Sequence, residues 1–263
     1  MLIPFIKMQA QGNDFVILDT FEQQIDAIDY ASLAVAVCDR HFGVGADGLV
    51  IVGASMQADA RMTIYNNDGS LAEMCGSALR CVAQLLMDKL KKSSVMVQTD
   101  SGIKEAWREA KTIHVNLGVA QMIQSSMLVE SFCGDLVDIG NPHFVVFTDT
   151  IQDNPHLQYG AILEHHQAFP KPVNVHFVKI HDRSNLEMKI WEHACGATLA
   201  CGTGAASSVF AGIMHDLLER KVSVKVPGGK LTIEMCTDDS LLLAGSVEES
   251  FRGIYLWKTS VNI

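Results

Sequence analysis

The chain has 263 residues, 48% of them hydrophobic and 19% charged, enough apolar material for one large domain or two small ones, which excludes a disordered chain. Its formal net charge is -10 and no basic run exceeds Lys91-Lys92, so the cationic footprint of a nucleic-acid binder is missing. No window approaches the roughly 18 consecutive apolar residues of a membrane span, and Lys7, Gln9 and Gln11 interrupt any signal-like stretch between Met1 and Asp19. The expectation is a cytoplasmic protein with a small soluble partner, neither nucleic acid nor membrane.

In chain order, the first landmark is Asn13-Asp14-Phe15. A strand-like alternating segment later ends in Tyr65-Asn66, and nine positions after Asn66 stands Cys75. Met74-Cys75-Gly76-Ser77 opens a predicted helix with Leu79, Val82, Leu86 and Leu90 on one face. A strand at Val95-Met96-Val97 and a turn at Ser101-Gly102 follow. The same order then recurs. Asn141-Pro142-His143-Phe144 precedes a strand ending in Trp191-Glu192, and nine positions after Glu192 stands Cys201. Ala200-Cys201-Gly202-Thr203 opens a second predicted helix with Val209, Ile213 and Leu217, then come Val222-Ser223-Val224 and the turn Gly228-Gly229.

The spacings match as well as the order. Asn13 lies 62 positions before Cys75 and Asn141 lies 60 before Cys201; Cys75 to Gly102 is 27 positions and Cys201 to Gly229 is 28. Such a repeat implies two similar α+β lobes, each a strand-rich sheet around one main helix, with a boundary near Gly118 and the two helix starts facing each other across a cleft. Lobe interfaces of this kind are common small-ligand sites.

Seven cysteines is an odd count in a chain too long to need disulfide stapling. A helix start offers unpaired N–H groups and the positive end of the macrodipole, which should take a capping thiol below its free pKa of roughly 8.5. The same N–H groups bind carboxylates, and glycines at 76, 202 and 204 let a ligand approach the backbone. Two facing thiols, one ionised and one protonated, are what inversion of a carbon centre needs: a proton leaves one face and another arrives on the opposite face. His143 and Glu192 are the expected bases, one collecting the proton of each thiol. Zinc is a second reading, because Cys75 with Cys81 and Cys195 with Cys201 form two C-x5-C pairs. Six residues along a helix rotate Cys81 by roughly 240° from Cys75, away from a shared face. Cys38, Cys133 and Cys236 lie outside any motif and are expected in the core.

These residues resemble the diaminopimelate epimerase family along nearly the whole chain. Its G-N-D-F segment is similar to Gly12 to Phe15, and its arginine with a Gly-Val-Gly-Ala-Asp segment to Arg40 and Gly43 to Asp47. Its first cysteine signature is similar to Asn66 to Cys81, its N-P-H to Asn141 to His143, its N-V-E to Asn174-Val175, and its second cysteine signature to Glu192 to Ala205. The resemblance implies a fold of two pseudo-symmetric lobes, each a mostly antiparallel sheet wrapped around a central helix, residues 1–117 completed by 250–263 in one and 118–249 in the other. It implies epimerisation at an amino-acid Cα without pyridoxal phosphate, any other cofactor or a metal. LL-diaminopimelate to meso-diaminopimelate is the leading reaction, racemisation of another amino acid such as histidine or an acidic one the alternative, and a homodimer is compatible. Cys75 and Cys201 would be the catalytic pair, assisted by His143 and Glu192. Gly76, Ser77, Gly202 and Thr203 would hold the reacting carboxylate through backbone amides, and Asn13, Asn66, Asn141 and Asn174 the other polar groups. The departures cluster at recognition: the family's Arg beside the catalytic Glu is His193, the Gly after it is Ala194, C-G-N-G reads Cys75-Gly76-Ser77-Ala78, and the Glu of N-V-E is His176.

Overall fold

The computed structural model describes residues 1–21, 28–72 and 74–258, and within them the chain builds one unit twice. In the first, β1 (Leu2–Ala10) pairs antiparallel with β2 (Asn13–Asp19), and α1 (Tyr30–Cys38) carries the chain to β3 (Gly48–Gly53), parallel to β2. β3 turns back into β4 (Ala60–Asn66), and β4 pairs with the short β5 (Leu71–Ala72), which leads into α2 (Gly76–Leu90). β6 (Ser94–Thr99) returns parallel to β4 and meanders through β7 (Gly102–Glu109) to β8 (Thr112–Val119).

The second unit repeats each pairing in the same sense. Its members are β10 (Phe132–Asp138), β11 (Pro142–Phe147), α3 (Pro155–Glu164), β12 (Asn174–Asp182), β13 (Asn185–Glu192), β14 (Gly196–Ala197), α4 (Gly202–Met214), β15 (Lys221–Val226), β16 (Gly229–Met235) and β17 (Ser240–Gly245). The strand that ends each unit crosses to the other: β9 (Gln121–Val129) pairs with β10, and β18 (Glu248–Leu256) pairs with β1. Residues 259–263 of the segment expected to complete the first lobe lie outside the described residues. β8 pairs with β17, so the strands form one mixed, mostly antiparallel sheet. The fold is sheet-dominated α+β, as the repeat implies.

The two central helices share a core. Leu79, Val82 and Leu86 of α2 belong to the same buried cluster as Ala205, Ala206 and Val209 of α4. The starts of α2 and α4 come close because their first residues lack side chains: a Cβ on Gly202 would lie 3.6 Å from the Gly76 Cα and 2.7 Å from the Leu243 Cδ2. Glycine is costly inside a helix, and here it is what lets two helix ends abut.

Two sequence expectations need correction. Leu217, placed on the buried face of the second helix, lies beyond its end and is 42% exposed, whereas Leu218 is 3% exposed in the core. The helix stops at Met214, and Asp216 in the left-handed region (φ 56°) breaks the helical period, with both leucine N–H groups turned back to the Gly212 carbonyl. Cys38 is buried, but Cys133 is exposed on β10 and Cys236 is only half-buried. Cys133 lies near the turn end of β10, opposite the exposed Leu128 of β9 and before the register shift at Gly134, outside the buried stretch Gly134 to Val137. No described helix is long and apolar enough to cross a membrane.

Candidate active site

Both helix starts open on one cavity of about 860 Å³, lined by residues of both units. Cys75 and Cys201 are the N-caps of α2 and α4, in near-identical extended conformations (φ -143°, ψ 115° and φ -131°, ψ 110°). Asn13, Asn66, Gly76, Asn141, Asn174, Glu192, His193, Gly202 and Thr203 line the cavity with them. His143 and Ser77 do not; both are fully buried behind it.

On the first side, Cys75 Sγ donates to Asn13 Oδ1 at 3.7 Å, and the Ala78 and Ser77 amides face the sulfur. Ser77 thus contributes its N–H to the thiol rather than to the open cavity. Asn13 is held by a charged lattice. Its Nδ2 donates to Asp47 Oδ2 at 2.8 Å, and the Asp14 N–H donates to the same oxygen at 3.1 Å. Arg40 bridges Asp14 and Asp47 at 2.8 and 2.7 Å, while Lys7 bonds Asp14 and the Gly45 carbonyl. Burial pushes the Asp14 carboxyl up, but Arg40 and Lys7 outweigh it and hold it below the usual range. The Arg40 and Gly43 to Asp47 segment therefore orients Asn13 instead of lining the cavity along its length; Asp47 alone of it does so.

On the second side, Cys201 Sγ accepts from the Gly204 N–H at 3.3 Å and lies 3.6 Å from Thr203 Oγ1. Glu192 hydrogen-bonds Cys201 and accepts from Thr198 Oγ1. Burial pushes the Glu192 carboxyl up to about 7. Behind Cys201, His143 Nε2 meets Asn141 Oδ1 at 2.9 Å and its Nδ1 meets His176 Nε2 at 2.9 Å. Because Asn141 Oδ1 can only accept, His143 carries its proton on Nε2, His176 Nε2 donates to it, and His176 Nδ1 is left without a partner. Burial, and for His143 also the neighbouring His176, keeps both rings neutral: His143 is held well below the usual range and His176 at about 3.

Two expectations about the thiols need correction, one because of desolvation and one because of placement. Burial pushes Cys75 up to about 11 and Cys201 well above its usual value, so desolvation outweighs the helix ends that were expected to lower them. His143 and Glu192 do not serve one thiol each, since both adjoin Cys201 and Cys75 has Asn13 as its side-chain partner. Nor do the C-x5-C pairs assemble: Cys81 packs into the α2 core while Cys195 lines the cavity. The donor set that does converge is His143, His176 and Cys201, with ligand atoms within 4.8 Å of one another, a spacing that could hold a metal ion.

Around His193 the structure gathers residues that the sequence did not single out. Glu164, buried at the end of α3, accepts from His193 Nδ1 at 2.6 Å, Trp191 Nε1 at 2.8 Å and the Ala194 N–H at 3.1 Å. Burial raises its carboxyl, but these bonds outweigh it and hold Glu164 below the usual range. His193 N–H donates to Asn174 Oδ1 at 3.1 Å, and Asn174 Nδ2 donates to the Pro142 carbonyl at 3.0 Å. The half-exposed His193 ring therefore presents Nε2 to the cavity. Lys171, from the loop before β12, is the other basic residue of the lining, against the acids Asp47, Asp138 and Glu192. Only tertiary packing brings Glu164 29 positions along the chain to His193.

A duplicated α+β chain with a thiol capping one helix of each half, both opening on one cleft, defines a class whose fold recurs in solved structures. A phenazine biosynthesis protein of the PhzF family from Bacillus anthracis superposes with a TM-score of 0.76 at 14% identity, covering 98% of this chain and 100% of that one. A hydroxyproline epimerase from Agrobacterium vitis, with trans-4-hydroxy-L-proline bound, gives 0.71 at 15% identity, covering 96% and 90%. At these identities the likeness is one of fold. Sequence identifies the family: the diaminopimelate epimerase family model matches residues 5–123 and 136–249. The diaminopimelate epimerase of Pelotomaculum thermopropionicum is 36% identical over 279 residues, covering 97% of this chain and 99% of that protein. The chain belongs to the diaminopimelate epimerase family.

Proposed function

We propose that the protein is an isomerase that converts LL-diaminopimelate to meso-diaminopimelate, one of Cys75 and Cys201 taking the Cα proton from one face as a thiolate while the other delivers its thiol proton to the opposite face, without pyridoxal phosphate. The observation that carries the reading is the convergence of two cysteine-capped helix starts on a single cavity. On this reading the enzyme serves lysine biosynthesis in the cytoplasm.

The reacting carboxylate sits over Gly76, Gly202 and Thr203, where two helix N-termini supply N–H groups and positive potential. Deprotonation of Cα spreads negative charge into that carboxylate, and donors already aimed there favour the transition state over the ground state. Burial makes each thiolate rarer and, once formed, more basic toward a carbon acid. Glu192 is the proton store for Cys201: burial raises its carboxyl to about 7, closer to the thiol than an ordinary carboxyl, which makes the transfer from the buried thiol less uphill. His143 is neutral and hydrogen-bonded at both nitrogens, so it positions Asn141 and backs Cys201 rather than taking the Cα proton.

Diaminopimelate carries a second carboxylate beyond the reacting centre. Lys171 and His193 are the basic groups of the lining that can receive it, with Glu164 fixing the His193 ring. Incubation in deuterated water with LL-diaminopimelate and a panel of single amino acids, read by mass at Cα, tests the reading. Label should enter diaminopimelate with formation of the meso isomer; label in another amino acid and none in diaminopimelate would refute it.

A further inference from the structure

Arg80 is fully buried in the second turn of α2, behind the start that Cys75 caps. Its guanidinium meets neutral acceptors: Nη1 donates to Gln11 Oε1 at 2.7 Å and the Ser246 carbonyl at 3.3 Å, Nε to the Gly76 carbonyl at 3.3 Å, and Nη2 to Ser77 Oγ at 3.4 Å. Among the described residues no carboxylate pairs with it. A buried cation without a counter-charge is strongly disfavoured, and the N-terminal part of a helix is the wrong end for one. The surroundings nonetheless make room for it, since a Cβ on Gly245 would fall 2.2 Å from Nη1. Hydrogen bonding to amide, carbonyl and hydroxyl oxygens does not require a charge, so the charge itself calls for a reason.

The duplication supplies the comparison. Five positions after Cys201 stands Ala206 where Arg80 stands five after Cys75, and nine before Cys75 stands Asn66 where Glu192 stands nine before Cys201. One thiol has a cation on its own helix, and the other has a carboxylate as hydrogen-bond partner. We propose that the Arg80 guanidinium is the fixed counter-charge for the anion that forms at the α2 start, the Cys75 thiolate together with the carboxylate bound over Gly76. Arg80 is then a positioning residue: it touches no substrate and acts through the field at the helix start and through the Gly76 carbonyl and Ser77 hydroxyl. The proposal concerns the thiol and stands whichever amino acid is the substrate.

The charged and titratable groups that act on Cys75 are Arg80 and the fully buried Cys81 from its own helix, Glu192 from β13 and Cys195 from the turn that follows. The test is the pH profile of iodoacetamide alkylation, read peptide by peptide, with Cys201 as the internal reference. Arg80→Gln and Arg80→Met both remove the charge, and Arg80→Lys keeps it; near-UV circular dichroism selects the folded variants. In a folded charge-free variant the Cys75 profile should move up by about one pH unit, alkylation at fixed pH slowing about tenfold, with Cys201 moving much less. Arg80→Lys should stay near wild type. An unchanged Cys75 profile in a folded charge-free variant overturns the proposal. So does an Arg80→Lys profile shifted as far as that of Arg80→Gln, which would assign the effect to hydrogen-bond geometry.

Discussion

Gly204 is a sensitive point of the site for a reason that can be calculated. It lies in the first turn of α4 with ordinary helical backbone, so Gly204→Ala should by helix propensity alone gain about 1 kcal/mol. The added Cβ would instead sit 2.3 Å from both Cε1 and Nε2 of His176 and 3.1 Å from Cys201 Sγ. His176 is fully buried on β12 and tied to His143 Nδ1, so it cannot recoil without breaking that bond. Overpacking costs about 1–3 kcal/mol, and an orphaned buried donor about 1–3 kcal/mol more. The net expectation is a loss of about 1–5 kcal/mol, or a fall in Tm of roughly 2–20 °C for a chain of this size. Because the displaced histidine backs Cys201, turnover should fall further than the folded fraction does. Thermal melts and kcat of Gly204→Ala, His176→Ala and the double variant close a cycle in which the smaller side chain relieves the clash, giving a coupling energy of about 1–3 kcal/mol. A Gly204→Ala protein as stable as wild type, or additive single effects, would refute the contact.

Glu192→Gln should lower kcat about 10²–10⁴-fold and remove a titration near pH 7 from the rate profile. Burial raises the folded Glu192 carboxyl from the ordinary 4.5 to about 7, so the native state holds the extra proton and stability falls as pH rises through that window. That loss, about 3 kcal/mol, should be absent from Glu192→Gln in denaturant titrations across the same window. Cys75→Ser and Cys201→Ser should each stay folded and lose most epimerisation, while either may be assayed for elimination from a β-halogenated substrate, which needs one proton removed; near wild-type epimerisation by either would sink the two-base mechanism. His193→Arg, which puts a bidentate guanidinium fork in place of the ring, should lower the KM for diaminopimelate; a KM insensitive to the substitution would remove His193 from recognition.

The duplication was legible because it rests on short-range signals: nine residues from strand end to cysteine, a Cys-Gly helix start, and a turn 27 or 28 residues on. Those spacings became β4 with α2 and β13 with α4, in matching registers. The helix of Val209 and Ile213 was legible up to Met214 and no further, since the left-handed turn at Asp216 carries no obvious marker. Site residues on the helix caps were legible because backbone chemistry is local. Glu164 was not: it sits in an unremarkable helix, and only the packing of α3 against β13 brings it to His193. The thiol pKa values were misread because desolvation depends on everything that covers the sulfur, and no local pattern reports that.

A repeated fold suits inversion of a stereocentre because the two faces of Cα need groups of the same kind at opposite positions, and an approximate twofold relation delivers them. Full symmetry is not required for one thiolate to face one thiol, since two equivalent neighbouring thiols repel each other's charge and lose their protons in two separate steps. The charges here nonetheless break the relation. Glu192 adjoins Cys201 while its counterpart is the neutral Asn66, and Asn141 orients a histidine while Asn13 orients a thiol. The neutral His143 and His176 fill the space behind Cys201 without adding a charge that would compete with Glu192 for its proton. The second unit alone supplies Glu164, Lys171 and His193, so on the proposed reading the distal carboxylate of the substrate is received by one half of the molecule. The backbone repeat thus provides two equivalent helix starts, and unequal side chains around them give each thiol a different electrostatic setting.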